Sequence, residues 1–171
     1  MDLKDKIRVI EDFPKEGISF KDVTTLTKDP EAFRETVDQM AACCPEDFDL
    51  VIGPESRGFL FGTALAYKLG KGFEPVRKPG KLPAETEEYS YDLEYGSDTL
   101  QIHKDAIKPG DRVVIVDDLI ATGGTLEACC KLVEKLGGKV AAVIALIELT
   151  GLNGRELLKD YRVESLVRYE F

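Results

Sequence analysis

The sequence predicts an α/β protein with a central, mostly parallel and twisted sheet flanked by helices. Buried-strand patterns alternate with helical patterns along the chain, an order typical of parallel sheets. A continuous β-branched run at residues 113–116 supports this, because a strand covered on both faces is apolar throughout rather than alternating. At 171 residues the chain suits a single domain, residues 1–171, with a substantial core.

The elements follow from local patterns. Pro14 and Gly17 interrupt regular structure after a short strand-like piece at residues 7–10, so a loop is predicted there. Pro30 in a first turn predicts a helix over residues 30–42. The remaining predicted elements are strands at 48–53 and 73–77, a helix at 59–69, a polar mobile loop at 78–88, a hairpin of strands 89–95 and 99–102, the central strand 113–116, a helix at 126–136, a strand at 140–147, a short helix at 155–159 and a strand at 165–169.

Composition and charge disfavour several functions. The net charge of −9 argues against nucleic acid or an anionic membrane as a main partner. No apolar run approaches the roughly 20 residues that span a membrane. The charged N-terminus has no apolar core behind it, which argues against a signal peptide, and we therefore expect a cytoplasmic protein.

Cysteine and histidine usage gives no metal motif. The cysteines occur as two adjacent pairs, at 43–44 and 129–130, and His103 is the one histidine. Neither arrangement matches the spacing of a Cys/His metal site. We expect reduced thiols that pack as small hydrophobic groups, and no role for His103.

Two carboxylates and a glycine-containing turn follow the central strand. Asp117 and Asp118 come at its carboxyl end, where open α/β sheets bind ligands. Residues 121–125, Ala-Thr-Gly-Gly-Thr, then open a helical pattern, and N–H groups at a helix N-terminus bind phosphate. Two carboxylates would repel a neighbouring phosphate unless they bind another group. The cis-hydroxyls of a ribose and a divalent metal are both candidates for that group. A plain acidic N-cap is the alternative, although it needs only one Asp.

Basic residues suggest a second anion site. Residues 68–81 contain five Lys and Arg side chains against one acid, Glu74, in an otherwise acidic protein. Arg57 opens the helix that follows strand 48–53, and a guanidinium at that edge suits bidentate contact with a diphosphate. The alternative for residues 68–81 is a solvated basic loop, and the alternative for Arg57 is a surface salt bridge.

The run at residues 112–125 resembles the phosphoribosyl diphosphate (PRPP) motif of the type I phosphoribosyltransferases. Stretches at 13–22, 55–62, 77–83 and 93–96 narrow the resemblance to the adenine-specific branch of that family. It implies the type I phosphoribosyltransferase fold, with a small N-terminal base-binding hood (about residues 1–25) and a mobile loop-hairpin (about 78–95). It also implies transfer of adenine to PRPP, giving AMP and diphosphate in purine salvage.

The resemblance assigns a role to each matching residue. Asp117 and Asp118 would bind ribose, and the turn would bind the 5′-phosphate through Ala121, Thr122, Gly123, Gly124 and Thr125. The diphosphate would face Arg57, Arg77, Lys78 and Lys81. Adenine would meet Ser19, Phe20, Lys21 and Leu149, with Phe20 and Leu149 on opposite faces and the main chain at Ser19 and Lys21 reading its edge. Glu94 and Tyr95 would join Arg57 as catalytic residues.

Further expectations concern the metal and the assembly. Mg²⁺ would arrive with PRPP and would have no direct protein ligand. A homodimer is implied, with a neighbouring subunit as an alternative source of Lys81. Family members often have a non-proline cis peptide at the position of Glu55-Ser56, and they usually have Arg where Lys21 stands; a backbone contact there would make this departure nearly neutral.

Two alternatives remain open. The same fold could act on hypoxanthine-guanine or xanthine, with the Ser19–Lys21 stretch deciding the base. The second is a PRPP-sensing regulator without turnover. Such regulators usually have an added DNA-binding domain, and this chain has neither the length nor a basic recognition helix for one.

Overall fold

The computed structural model describes residues 1–92 and 96–170. Within that part of the chain, five strands form a parallel sheet in the order β4-β3-β7-β8-β9. Its strands are β3 (Leu50–Pro54), β4 (Gly72–Val76), β7 (Arg112–Ile120), β8 (Lys139–Leu149) and β9 (Val163–Tyr169). The helices are α1 (Thr24–Thr27), α2 (Pro30–Cys43), α3 (Arg57–Leu69) and α4 (Gly124–Lys135).

The central strand is buried on both faces, as its composition predicts. Residues Val113, Val114, Ile115 and Val116 are each 0% exposed. Val114 and Val116 pack in one core with α2 and α3, whereas Val113 and Ile115 pack in a second core with α4. Helices therefore cover both faces of the sheet, and the predicted fold class is confirmed.

Two antiparallel ribbons lie outside this sheet. The first pairs β1 (Arg8–Glu11) with β2 (Ser19–Asp22), and the second pairs β5 (Thr86–Asp92) with β6 (Ser97–His103). A loop prediction for residues 12–22 was wrong at its end, because Phe20 pairs with Ile10 across the first ribbon.

Two other boundaries differ from prediction. β5 begins at Thr86, which pairs with His103, so the polar loop is shorter than the predicted 78–88. The polar residues at the start of β5 form a strand because they pair with β6, although their sequence has no apolar alternation. The short helix expected at 155–159 does not form: a 3-10 turn, η3 (Gly154–Glu156), covers only its start and a turn follows at 157–160, while another 3-10 turn, η2 (Thr150–Leu152), precedes η3. Asn153, with φ 54°, separates them, and a left-handed residue interrupts a helix. A further 3-10 turn, η1 (Leu3–Lys6), precedes β1.

None of the helices in residues 1–92 and 96–170 has the length and apolar composition needed to cross a membrane.

Candidate functional site

The acidic pair lies at the carboxyl end of β7. Asp118 is 4% exposed and Asp117 9% exposed, and the Asp118 N–H donates to Asp117 Oδ1 at 2.8 Å. Burial, and then the neighbouring charge of Asp118, raise the pKa of Asp117 well above its usual range. Arg57 Nε donates to Asp118 Oδ2 at 2.6 Å. The pair therefore includes one carboxylate that is matched by a cation and one whose ionisation is opposed by its surroundings.

The phosphate loop, residues 121–125, follows directly. α4 begins at Gly124, and Gly123 precedes it with φ 91°, a conformation that glycine adopts without strain. A cavity of about 440 Å³ opens here. It is lined by the acidic pair, residues 119–126, Glu55, Ser56, Arg57 and Lys78. Unpaired N–H groups at the start of α4 and the acids thus face one concave space.

Arg57 lies at the opening of α3, as predicted. Gly58 beside it packs closely, since a Cβ there would lie 3.0 Å from Asp117 Oδ1 and 3.1 Å from the Val116 carbonyl oxygen, so these neighbours would have to move by a few tenths of an ångström. The expected cis peptide between Glu55 and Ser56 is present. The close approach of α3 to β7 brings the guanidinium onto the acidic pair.

Glu55 is a site residue for which the sequence analysis predicted no separate role. Its Oε1 accepts from Arg77 Nε at 3.2 Å and from the Lys78 N–H at 2.9 Å, and its Oε2 accepts from Lys81 Nζ at 3.1 Å. Burial works against its ionisation, but these donors lower the pKa of Glu55 overall. Parallel strands β3 and β4 end at the same sheet edge, so an acid after β3 facing a basic run after β4 was the available signal.

The β1–β2 ribbon holds the residues predicted to bind a base. The half-buried Phe20 ring lies 5.2 Å from the Phe13 ring and 5.6 Å from Arg57 Cζ. Lys21 is 5% exposed, and its Nζ donates to Ser19 Oγ at 2.7 Å. Burial lowers the pKa of Lys21. The ribbon therefore meets the acidic pair through Phe20 and Arg57.

Leu149 lies at the end of β8, in register with Tyr169 of β9. Lys21 Nζ lies 4.7 Å from the centre of the Tyr169 ring, so the ribbon also contacts this corner of the sheet. Of the predicted base-binding residues, Phe20 thus lies beside Arg57, and Lys21 and Leu149 share Tyr169 as a neighbour.

Glu94 and Tyr95, predicted to be catalytic, lie outside the described residues. Tyr91 on β5 was not predicted to have a role, yet its hydroxyl lies 3.2 Å from Thr125 Oγ1. Its ring also packs against Gly124, where a Cβ would lie only 3.3 Å from a ring carbon of Tyr91. The second ribbon therefore contacts the phosphate loop. The role of Tyr91 depends on a contact between β5 and residues 121–125, which are far apart in the sequence, so no local pattern predicts it.

Within residues 1–92 and 96–170, no three His, Cys, Asp or Glu side chains are grouped so that they could hold a metal ion.

Comparisons with known proteins agree with this geometry. The profile of the phosphoribosyl transferase domain family matches residues 23–169. The adenine phosphoribosyltransferase of Alkaliphilus oremlandii is 63% identical over 172 residues, covering 100% of both chains. That of Clostridium perfringens is 64% identical over 171 residues, covering 99% of both.

Solved structures give the same result. The crystal structure of adenine phosphoribosyltransferase from Thermoanaerobacter pseudethanolicus superposes with a TM-score of 0.95 at 58% identity, covering 98% of both chains. The Saccharomyces cerevisiae enzyme, complexed with an imino-altritol bisphosphate and adenine, gives 0.90 at 43% identity, covering 96% of both. The chain therefore belongs to the type I phosphoribosyltransferase family and, within it, to the adenine phosphoribosyltransferases.

Proposed function

We propose that this chain transfers the phosphoribosyl group of PRPP to adenine, forming AMP and diphosphate in purine salvage. The observation that supports this most is the buried acidic pair beside a phosphate loop in one cavity. Its setting in a chain 63% identical, over its full length, to a protein named adenine phosphoribosyltransferase supports the choice of base.

The phosphate loop and the acidic pair bind the two ends of the ribose 5-phosphate. N–H groups of residues 121–125, with the Thr122 and Thr125 hydroxyls, donate to the 5′-phosphate. The ribose 2′- and 3′-hydroxyls donate to Asp117 and Asp118. Asp118 then exchanges part of its contact with Arg57 for ribose, which frees guanidinium N–H groups for the diphosphate.

Cations at the sheet edge stabilise the leaving group. The bond between the anomeric carbon and diphosphate breaks with its electron pair on diphosphate, so positive charge develops on the ribose ring. Arg57, Arg77, Lys78 and Lys81 supply preorganised positive charge for the leaving group. Glu55 already holds Arg77 and Lys81 close to the cavity, so these two cations are positioned before the substrate binds.

Adenine approaches from the β1–β2 ribbon. Phe20 stacks on one face of the ring, Leu149 covers the other, and the main chain at Ser19 and Lys21 pairs with the base edge. A ring nitrogen attacks the anomeric carbon, and the proton released passes to a base for which Glu94 is our candidate; Tyr95, the next residue in the sequence, is the second candidate catalytic residue. A closed loop-hairpin, about residues 78–95, would exclude water from the oxocarbenium-like centre.

The proposal includes Mg²⁺ as the cofactor. Bound to the diphosphate oxygens of PRPP, the ion would neutralise charge on the leaving group. Glu55, Asp117 and Asp118 are acids that line the cavity, and the carboxylates of Asp117 and Asp118 suit either hydroxyls or hydrated magnesium. The residues present fit an ion that arrives with its substrate.

Assembly and location are also proposals. We propose a single catalytic domain that forms a homodimer in the cytoplasm. The four cysteines are free thiols, in keeping with a reducing compartment. Size-exclusion chromatography with light scattering tests the dimer, and a mass of one chain at micromolar concentration would refute it.

A base screen tests the function. Purified chain, PRPP and Mg²⁺ are mixed separately with adenine, hypoxanthine, guanine and xanthine, and nucleotide formation is followed. AMP from adenine alone is expected, since pockets that read base-edge hydrogen bonds discriminate strongly. Product from an oxopurine would transfer the proposal to another base. PRPP binding without any product would favour the PRPP-sensing regulator.

A further inference from the structure

The segment at residues 150–156, formed by η2 and η3, contacts the rear of the phosphate loop backbone to backbone. A Cβ on Gly123 would lie 2.6 Å from the Gly154 carbonyl oxygen, and a Cβ on Gly154 would lie 2.7 Å from the Ala121 carbonyl oxygen. These spacings leave no room for a side chain between the two segments. Because Gly123 immediately precedes α4, the position of Gly154 constrains the turn that aims the first N–H groups of the helix.

Arg155 fixes this segment to the sheet. Its Nε donates to Glu148 Oε2 at 2.9 Å, its Nη2 donates to Glu148 Oε1 at 3.0 Å, and its Nη1 donates to the Val163 carbonyl oxygen at 3.1 Å. A bidentate contact of this kind fixes the orientation of the guanidinium as well as its distance from the carboxylate. Glu148 on β8 lies in register with Ile120, the last residue of β7 before the phosphate loop. The ion pair thus joins Gly154 to the strand position beside that loop.

Glu148 is a buried carboxylate whose cationic partners are Arg155, at 2.9 and 3.0 Å, and Arg168, whose Nε lies 3.8 Å from Oε1. Its side chain is 6% exposed, and Ser165 Oγ also donates to its Oε1 at 2.7 Å. Burial works against ionisation, but the bonds from Arg155 and Ser165 lower the pKa of Glu148 overall. Neither Arg155 nor Glu148 lines the cavity. Their contribution to ligand binding therefore acts through the backbone that they hold in place.

We infer that Arg155, through Glu148 and Gly154, is a positioning residue for the 5′-phosphate site. It holds residues 150–156 against residues 121–123, so the N–H groups at the start of α4 stay aimed into the cavity when no ligand is bound. This inference rests on the proposed function, because it assigns the phosphate loop to PRPP.

The first test substitutes Arg155→Met and compares it with Arg162→Met. Arg162 is a matched control, since its side chain is 49% exposed against 42% for Arg155, and it donates to the carbonyl oxygen of Cys43, the last residue of α2, and not to Glu148. Arg155→Met should weaken PRPP binding roughly ten-fold in calorimetric titration with Mg²⁺, because small displacements of binding groups cost large factors. The KM for PRPP should rise in parallel, and the KM for adenine should stay within about two-fold.

Two further variants keep the inference testable if Arg155→Met does not fold. Arg155→Lys retains the charge but not the two-pronged contact, and its PRPP affinity should lie between those of wild type and Arg155→Met. Gly154→Ala retains the ion pair but adds a methyl group at the backbone contact, and it should also weaken PRPP binding. Thermal unfolding of every variant separates this effect from a general loss of stability.

Unchanged PRPP affinity in folded Arg155→Met, or in Gly154→Ala, would overturn the inference and leave the ion pair a purely structural one. Equal losses in Arg155→Met and Arg162→Met would do the same. A wild-type chain that binds PRPP but makes no nucleotide would refute the proposed function alone, because the titration still compares the variants. A wild type that does not bind PRPP would refute both.

Discussion

The two sides of the candidate site rest on different supports. The phosphate side, Asp117, Asp118 and residues 121–125, continues from a strand whose core residues are 0% exposed. The base side, residues 19–21, lies on a two-stranded ribbon with exposed apolar residues nearby, including Phe13 at 49% and Val9 at 44%. A two-stranded ribbon is marginally stable by itself. The phosphate side is therefore positioned by core packing, whereas the base side depends on side-chain contacts with neighbouring elements.

Three side-chain contacts illustrate how the ribbon is held. Arg8 Nη2 lies 2.6 Å from Asp22 Oδ2 within the ribbon, Lys21 lies over Tyr169 of β9, and Phe20 lies against Arg57 of α3. Each joins the ribbon to itself or to one other element. Substitutions on the phosphate side should therefore impair ligand binding with little change in structure, whereas those on the base side should also change how firmly the ribbon is held.

The largest effect should come from Asp118→Asn. The amide cannot accept from ribose and Arg57 with full charge, and charge-assisted hydrogen bonds contribute about 1.5–3 kcal/mol, so kcat/KM for PRPP should fall roughly 100-fold. Initial-rate kinetics with varied PRPP measure it. Asp38→Asn, which alters an exposed ion pair with Lys68, serves as the control. An unchanged KM for PRPP would contradict the ribose assignment.

Phe20→Ala should have the next largest effect, and it should act on the KM for adenine rather than on that for PRPP. Base–aromatic stacking contributes about 1–3 kcal/mol, so the KM for adenine should rise roughly ten-fold while that for PRPP changes much less. Phe13→Ala, which removes the ring packed edge-on against Phe20, should produce a smaller rise. Equal changes in both Michaelis constants for Phe20→Ala would mean that Phe20 only packs.

Asp22→Asn should weaken the ribbon and should do so in a pH-dependent way. Hydrogen bonds from Thr24, then the contact with Arg8, lower the pKa of Asp22 to about 2. Because the pKa of Asp22 is lower in the folded than in the unfolded chain, its carboxylate stabilises the fold at pH values above the unfolded pKa, near 4. That contribution is lost as the pH falls through about 2.

Urea unfolding of wild type and Asp22→Asn measures this contribution. The wild type should be more stable by about 1–2 kcal/mol at pH 7, a value reduced for partial solvent screening. The difference should shrink between about pH 4 and pH 2. Asp38→Asn is again the control. A difference that stays constant from pH 7 to pH 3 would show that the carboxylate charge is not what holds the ribbon.

The smallest effect should come from Lys21→Arg. If the adenine edge is read by the main chain at residues 19 and 21, this change should alter the KM for adenine by no more than about two-fold. The same kinetic assay with varied adenine measures it. A larger change would show that the Lys21 ammonium, which donates to Ser19 Oγ, takes part in shaping the base pocket.

Local patterns were sufficient for much of the fold. The apolar run at 113–116 predicted a strand buried on both faces, and Asp117, Asp118 and the small-residue turn predicted a ligand site at its end. Both depend on short-range chemistry, namely burial of continuous apolar residues and exposed N–H groups at a helix start. The hairpin of β5 and β6 was predicted, but the β1–β2 ribbon was not. Phe20 was expected in a loop because its pairing with Ile10 depends on a partner strand and not on its own neighbours.

By itself the sequence determined the alternation of strands and helices, the position of the acidic pair and the start of the phosphate loop. Only the tertiary structure decided which side chains meet there. The order β4-β3-β7 brings three separate loops to one edge, which pairs Glu55 with Arg77 and Lys81 and pairs Arg57 with Asp118. The contact of Gly154 with Gly123 likewise follows from β7 lying beside β8. Sheet order and close backbone contacts arise from long-range packing, and no local pattern in the sequence specifies them.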